Sequence, residues 1–458
     1  MGGEVCLQVS RLLQEAGFDN QWGFSSVIHA QQGDTVVVNL TNSLPTENVP
    51  VHWHGIRQSG TPWSDGTEGV TQCPIMPGDT FTYKFVVDRA GTYISIPCTL
   101  WNAIISRAVW IHIVSEPDGV AEPFVYDKEL SIILKDWYHA STYQQSTGLS
   151  SIPFGWVGEP QGHNMIVVEA DGSYVEPFET KNLYINSGET YSVLVTANQD
   201  PSTNYWITTN VVNRKPSTPT GLAIFNYYPN HPRKHPPTPP TTGPLRNDTD
   251  SQLAQSRAIK AHHDFVQPPP PTSDRVIVLL NTQNLIDGFT DTFDQNPPPD
   301  SYDVENHDIF NVPDNVNATS SNAIYRISFN TTVDIILQNA NTMTAGKSET
   351  HPWHMHGHDF WVLGYGRNKF DMEKDPAMYN LVDPIMKNTV ALYPYGWTAL
   401  RFRADNPGVW IFHCHIEPHF FMGMGIVFEA GMEMVGTLPT SIMGCGETKR
   451  LIKPRFCG

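Results

Sequence analysis

The sequence lacks several features that mark common classes of protein. No run of about 20 apolar residues is present, so no segment is predicted to cross a bilayer as a helix. Cationic residues are few, with 28 Lys and Arg against 46 Asp and Glu, and the net charge of -18 argues against nucleic acid or an anionic membrane surface as a partner. Helical periodicity is also scarce.

A secretory leader is missing from the start of the chain. Acidic residues interrupt residues 1–21, and no apolar core of the required length is present there. The alternatives are a misplaced start and a product that stays inside the cell, and we favour the misplaced start.

The chain has instead many short β-branched and aromatic segments bounded by Gly, Pro, Asn and Asp. Typical strands are residues 35–40, 80–85, 191–196 and 332–337. A Gly-acid pair precedes three such segments, at 33–34, 78–79 and 188–189, which indicates a repeated unit. The regular spacing of turns predicts an all-β fold of sandwiches.

A Pro-rich segment divides the chain, since residues 229–271 cannot supply a central strand. We predict a first domain at 1–118, a second at 119–228, a linker at 229–273 and a third domain with a C-terminal tail at 274–458. The linker histidines are interpreted as solvated loop residues: His231, His235, His262 and His263.

The strongest chemical signal is the run HCHIEPH at residues 413–419, with Met424 shortly after it. A His, a Cys and a distant thioether can form the trigonal set with a weak axial sulfur that holds blue copper. Because side chains alternate along an extended segment, His413 and His415 face away from Cys414. One strand can therefore serve two metal sites, joined by a short electron path through Cys414.

Two further histidine clusters stand far away in the sequence, HPWHMHGH at 351–358 and HWHG at 52–55. A lone His-x-His pair on a strand is more often merely exposed. Three such pairs together with a Cys favour a shared metal cluster.

These motifs resemble those of the multicopper oxidases and, within that family, of the plant L-ascorbate oxidases. The similar stretches run with gaps from about Val27 to Thr448, and include HWHGIRQSGTPWSDGTEGVTQCPIMPGD, WVGEPQ, ETHPWHMHGHDFWVLGYG and DNPGVWIFHCHIEPHFFMGMGIVFEAG. Met424 at the axial position differs from many laccases, which often have Leu or Phe there.

The resemblance implies three cupredoxin-like Greek-key β-sandwich domains and copper of types 1, 2 and 3. Carried over residue by residue, it assigns type 1 copper to His351, Cys414, His419 and Met424, type 2 copper to His52 and His354, and the type 3 pair to His54, His356, His413 and His415. Types 2 and 3 together form the trinuclear cluster.

The resemblance also implies catalytic roles. Cys414 links the two sites, and His419 takes the electron from the substrate. Asp65 assists proton delivery or orients a metal-bound water, although an Asp-Gly pair is more often just a turn. Trp156 stacks against the substrate, but it equally suits a core position.

The chain departs from the family pattern after Gly91-Thr92-Tyr93, where a His-x-His pair is replaced by ISIPCT at residues 94–99. Two type 3 ligands are therefore absent. Read one nucleotide later, permitted codons for residues 94–112 give YLYHAHYGMQSSAGLYGSI, which resembles the missing family segment. We interpret residues 94–112 as frame-disrupted.

Two stretches are shorter than in the family, between Gln161 and Gly162 and between Phe289 and Phe293. A middle sandwich that lacks strands exposes edges and core. The sequence therefore predicts an incomplete middle domain that is unstable or prone to association.

Six cysteines leave five besides the metal ligand. The resemblance pairs Cys73 with Cys445 in a disulfide. Cys6 is interpreted as a disulfide cysteine whose partner is missing, and Cys98 and Cys457 have no assigned role.

The resemblance implies a secreted, apoplastic, glycosylated enzyme that oxidises L-ascorbate and reduces dioxygen to water. A laccase-like phenol oxidase and a non-catalytic copper-binding remnant stay open as alternatives. The expected partners are dioxygen and a small reductant, ascorbate or a phenol, and a homodimer is left open. Sequons suit an exported chain at Asn39, Asn247, Asn317 and Asn330.

Overall fold

The computed structural model describes residues 4–8, 27–45, 48–97, 109–134, 154–158, 160–211, 220–244, 248–282, 297–302, 308–311, 322–342, 344, 346–416, 419–420, 423–446 and 448. For residues 4–8, 97 and 154–158 it describes the backbone only. Strands dominate these residues and form six sheets, two in each of three successive parts of the chain.

The first part contains β1 (Glu4–Gln8), β2 (Val27–Gln31), β3 (Thr35–Thr41), β4 (Val51–His54), β5 (Thr80–Val86), β6 (Gly91–Pro97) and β7 (Trp110–Ser115). The two sheets have the orders β1-β3-β5 and β2-β7-β6-β4. Alternate residues of β3 point inward, so Val36, Val38 and Leu40 share one core with Trp53 of β4.

The middle part contains β8 (Phe154–Gly158), β9 (Met165–Ala170), β10 (Ser173–Thr180), β11 (Asn182–Asn186), β12 (Tyr191–Val195), β13 (Tyr205–Val211) and β14 (Gly221–Phe225). Its sheets have the orders β10-β9-β12 and β11-β8-β13-β14, with antiparallel pairing throughout the described strands.

The third part contains β15 (Arg275–Asn281), β16 (Ile324–Ile327), β17 (Thr332–Asn339), β18 (His351–Met355), β19 (Phe360–Arg367), β20 (Met386–Lys387), β21 (Thr389–Leu392), β22 (Gly396–Arg403), β23 (Gly408–Cys414) and β24 (Gly425–Ala430). Its sheets have the orders β15-β17-β22-β19-β20 and β16-β24-β23-β18-β21. β15 pairs in parallel with β17, and β16 with β24. The first part has the same feature, since β1 is parallel to β3 and β2 to β7, which agrees with the repeated unit predicted from the sequence.

The predicted linker packs against the sheets. Its helix α1 (Thr249–Ala258) begins after Asp248, whose side chain accepts a hydrogen bond from the backbone N–H of Ser251. Gln255 of α1 exchanges two hydrogen bonds of 2.7 and 2.9 Å with the backbone of Tyr184 in β11. The solvated interpretation of His262 is wrong: its side chain is only 7% exposed, because it packs between aromatic rings at the edge of the middle domain.

The predicted disulfide between Cys73 and Cys445 is present, with 5.3 Å between the two Cα atoms. It fixes the segment after the last strand onto the first domain. Within the described part of the chain, none of the helices combines the length and the apolarity needed to cross a membrane.

Candidate metal centre

Three strands bring the histidine motifs together. β18 lies antiparallel to β23, with Trp353 opposite Cys414 and His354 opposite His413. Directly opposed residues point to the same face of a sheet, and neighbours along a strand point to opposite faces. β23 therefore presents Cys414 and His413 to different sites, as the alternation predicts.

The first site contains His351, Cys414 and His419, all buried. The two Nδ1 atoms of the histidines are 3.1 Å apart, and the Cys414 Sγ lies 3.7 Å from one and 3.8 Å from the other. Met424 packs beside this site, and its backbone oxygen accepts a hydrogen bond of 3.0 Å from the Cys414 N–H.

Burial sets the charge state of this site. It raises the pKa of the Cys414 thiol and lowers the pKa of His419 to about 4, and it also lowers the pKa of His351. Without a cation the site would hold a neutral thiol and neutral imidazoles. A soft cation such as copper fits this donor set, since a bound metal ion favours the thiolate.

The second site is a cluster of six histidines at the ends of β4, β18 and β23, of which five are buried and His415 is partly buried, and the structure brings them together in pairs. The Nε2 atoms of His52 and His354 are 3.3 Å apart, and those of His356 and His413 are 3.2 Å apart. The rings of His54 and His415 lie 4.9 Å apart, and the Nε2 atom of each has no hydrogen-bond partner in the described part of the protein. Buried nitrogens that face one another without a proton acceptor are a natural site for metal ions.

The hydrogen-bond partners of the Nδ1 atoms explain why the Nε2 atoms face the centre of the histidine cluster. In five of the six rings Nδ1 lies within hydrogen-bond distance of an oxygen, which leaves the Nε2 lone pair for a metal. The partners are the Asp65 backbone oxygen for His52 at 2.8 Å, the Asn388 backbone oxygen for His354 at 2.9 Å, the Asp65 carboxylate for His356 at 2.9 Å, the Cys414 backbone oxygen for His413 at 3.0 Å and the Ser187 hydroxyl for His415 at 3.0 Å.

Asp65 contacts two of these rings. Its Oδ2 lies 2.9 Å from Nδ1 of His356, its Oδ1 lies 3.3 Å from Nδ1 of His52, and Thr67 donates a hydrogen bond of 2.6 Å to Oδ2. Burial raises the pKa of Asp65, but the two histidines outweigh burial and hold that pKa well below its usual range. An ionised Asp65 therefore fixes the orientation of both rings.

An isoleucine occupies the place where the pattern requires a histidine. Ile96 of β6 lies directly opposite His52, and Ile94 lies opposite His54, so both apolar side chains point to the face of the cluster. The second position of the missing pair, Cys98, lies outside the described residues.

Two polar groups of the predicted frame-disrupted stretch fit poorly. The Ser95 hydroxyl and the His112 Nε2 are buried without a hydrogen-bond partner among the described residues, and burial lowers the pKa of His112 to about 3. Buried polar groups without partners are rare in well-fitted structures.

The middle domain supplies contacts that the sequence interpretation missed. A Cβ atom placed on Gly188, whose φ is +89°, would lie 2.7 Å from His415 Cδ2 and 3.0 Å from His54 Nε2. Next to it, the buried Lys387 forms an ion pair of 2.7 Å with Glu189 and lies 3.7 Å from Asp171. In the sequence, the Gly188-Glu189 pair indicated only a repeated unit, and a single Lys gave no indication of a role at this junction.

Two residues of the sequence motifs lie elsewhere. His358 packs against Phe402 and Trp410, and its side chain hydrogen-bonds the backbone of His356. Trp156 lies in β8, where its backbone pairs with Tyr184 and Asn210, and its side chain is outside the described part of the structure.

The comparison with known proteins decides the family. An L-ascorbate oxidase of Nicotiana tabacum is 42% identical, with 93% of this chain and 88% of that protein aligned. The chain belongs to the multicopper oxidases. Three family models described as multicopper oxidase match residues 14–113, 160–230 and 292–433.

Other multicopper oxidases are similar to a lower degree. Laccase-2 of Oryza sativa subsp. japonica is 31% identical over 93% of this chain and 90% of that protein. The crystal structure of a multicopper oxidase that functions in iron import has a TM-score of 0.73 and 25% identity, covering 93% of this chain and 89% of that one. The tobacco alignment extends over 517 residues, more than the 458 of this chain, so it includes positions that this multicopper oxidase lacks.

Multicopper oxidases bind copper, and both buried donor sets of this chain suit it. The two donor sets differ in their donor atoms: the first includes a cysteine sulfur, and the second has only imidazole nitrogens.

Proposed function

We propose that this multicopper oxidase takes single electrons from L-ascorbate at the Cys414 site and delivers them to the six-histidine cluster, where dioxygen is reduced to water. The geometry of β23 carries the proposal, because Cys414 of one site is bonded directly to His413 and His415 of the other. The path crosses only covalent bonds.

The residues have separate tasks in this proposal. Copper bound at the two sites would supply the reversible one-electron change that the reaction needs. His351, Cys414, His419 and Met424 would hold the copper of the first site, and Asp65 orients His52 and His356 of the second. His419 is the least buried of the three strong donors in the first site, and it would receive the electron.

Ascorbate is the proposed reductant because relatives named L-ascorbate oxidase are 42% identical to the chain, against 31% for laccase-2. Trp156 is the proposed stacking partner of the substrate. Oxygen consumption with ascorbate and with a diphenol tests the choice, and faster turnover of the diphenol would favour the laccase alternative.

A specific observation favours the non-catalytic alternative for the sequence as it stands, without repair of the frame-disrupted segment. Ile96 faces the cluster where the family pattern places an imidazole, so two of eight expected cluster ligands are missing. A protein of this sequence would then keep the coloured first site without turnover.

The deciding experiment compares the chain as it stands with a variant that carries YLYHAHYGMQSSAGLYGSI in place of residues 93–112, which places histidines at positions 96 and 98, the first of them directly opposite His52. We expect the variant to bind four copper ions per chain and to consume oxygen with ascorbate, and the literal chain to bind fewer. Cys414→Ser serves as the control, since it should remove the intense visible colour from both. A variant that bound four copper ions and still consumed no oxygen would contradict the proposed function.

We also propose that the protein is secreted to the apoplast. The disulfide Cys73–Cys445 suits an oxidising compartment, and the sequon residues Asn39 and Asn330 are exposed. The test is expression in plant cells followed by enzymatic deglycosylation of the extracellular fluid, where a loss of apparent mass is expected.

A further inference from the structure

A group of metal-binding side chains lies outside the copper sites, where the segment after α1 meets the middle domain. Val175 of β10 forms an isolated antiparallel bridge with Ala261. Backbone hydrogen bonds of 3.0 Å run from Glu176 N–H to Lys260 and from His262 N–H to Tyr174. The main chain thus holds Glu176 beside His262 and His263 before any ion is bound.

The side chains converge on one point. One ring nitrogen of each histidine and one carboxylate oxygen of Glu176 all lie within 4.8 Å of one another. The His263 Nδ1 is 2.7 Å from Glu176 Oε1, and the two imidazoles are stacked with centroids 4.3 Å apart. The exposed Asp264 adds a carboxylate 3.5 Å from His263 Nε2.

The surroundings hold the His262 ring in place and leave the His263 side chain free to rotate. His262 is buried, and its ring contacts Phe124 and Phe265 at centroid distances of 5.6 Å. Its Nδ1 accepts a long hydrogen bond of 3.3 Å from the Asp264 N–H. The His263 side chain is exposed, so a small rotation would bring the three donors to the separation of at most about 4.2 Å that ligands about 2.1 Å from one ion require.

We propose that Glu176, His262 and His263 bind a divalent cation of the Zn²⁺ or Cu²⁺ class. Two imidazoles and a carboxylate match the nitrogen and oxygen donors that both ions accept. The ion would replace the proton shared between His263 and Glu176, and that proton would pass to solvent. Binding would tie β10 to the segment that leads into the third domain.

The test counts zinc on the copper-loaded full chain. Wild type, Glu176→Gln and His263→Ala are dialysed against ZnCl₂, and the bound zinc is measured by atomic emission. Both altered side chains are exposed or half-buried, so the fold should persist, and circular dichroism checks this. His231→Ala is the matched control, because it removes an exposed histidine of the same region.

We expect wild type and His231→Ala to bind one zinc ion more per chain than the other two variants, with an affinity at least tenfold higher. Zinc that binds at the copper sites contributes equally to wild type and variants, so it does not affect the difference between their zinc counts. We also expect ZnCl₂ to raise the thermal midpoint of wild type but not that of Glu176→Gln. Equal zinc counts in wild type and Glu176→Gln would overturn the proposal and leave only an ion pair between His263 and Glu176.

Discussion

At the scale of single residues, the surroundings of each histidine ring and the partner of its Nδ1 atom decide whether the ring can act as a metal ligand. Burial first, and then neighbouring imidazoles, lower the pKa of His54, His354 and His413, so these rings are neutral. A neutral imidazole has one free lone pair, and in His354 and His413 an oxygen at Nδ1 determines that this lone pair is on Nε2.

Asp65 allows a direct test of how the partners of the histidine rings affect metal binding. Asp65→Asn removes the charge that orients His52 and His356, and loss of such partners typically weakens metal binding about 10- to 100-fold. We expect copper to leave the histidine cluster on dialysis against a weak chelator, while the visible colour of the Cys414 site persists. The exposed Asp127→Asn is the control. Copper retention equal to wild type would show that Asp65 is only a turn residue.

Lys387 tests the junction between the middle and third domains. Burial lowers the pKa of its ammonium, but Asp171 and Glu189 outweigh burial and raise that pKa well above its usual value. Lys387→Met would leave two buried carboxylates without their cation, and breaking such a pair costs about 3–5 kcal/mol of unfolding free energy. Urea unfolding at pH 7 measures the loss.

The pH dependence of Lys387→Met has a definite sign. Burial already raises the pKa of Asp171 to about 6, and loss of the lysine removes the main effect that lowers it. A carboxyl whose pKa is higher in the folded state destabilises at high pH, and the penalty is relieved as the pH falls through the folded-state value. The gap between variant and wild type should therefore narrow from pH 7 to pH 5. A gap that widened would contradict the assignment.

At the scale of secondary structure elements, local patterns predicted what lies within one strand. The alternation along residues 413–415 separated Cys414 from its neighbours, and the four strands expected from β-branched runs are β3, β5, β12 and β17. The contacts of Gly188 and Lys387 join different domains. No pattern of spacing along the chain encodes such contacts, so sequence reasoning could not find them.

The turn between β11 and β12 allows a matched pair of glycine variants. Gly188→Ala places a methyl group against His415 and His54, whereas Gly33→Ala meets no atom within 4 Å, although the φ angles are similar at +89° and +92°. Each variant should lose about 1–2 kcal/mol of unfolding free energy from the left-handed conformation. Only Gly188→Ala should also lose copper from the cluster, as measured by copper counting. Equal copper loss in both would mean that the turn does not shape the site.

At the scale of the whole molecule, the family pattern predicted the domain type and the two metal sites, because both depend on motifs with fixed spacing. Exposed apolar side chains lie near the start of the predicted middle domain. Within residues 125–134 several apolar side chains are exposed, and Val125, Leu130 and Ile132 are 95%, 70% and 59% exposed. A segment with several exposed apolar side chains is a surface at which another chain can pair.

Self-association follows from this exposed surface and can be measured. We expect the literal chain to sediment as oligomers that grow with concentration, because pairing of the 125–134 segments would bury apolar surface at about 25 cal/mol per Å². Leu130→Lys with Ile132→Lys should shift the distribution toward the monomer, since paired chains would then bury like charges. Val382→Lys, at a 79% exposed site in the third domain, should leave the distribution unchanged. If the double variant and Val382→Lys sedimented alike, the association would have another cause, and the middle domain would not be the weak point of the fold.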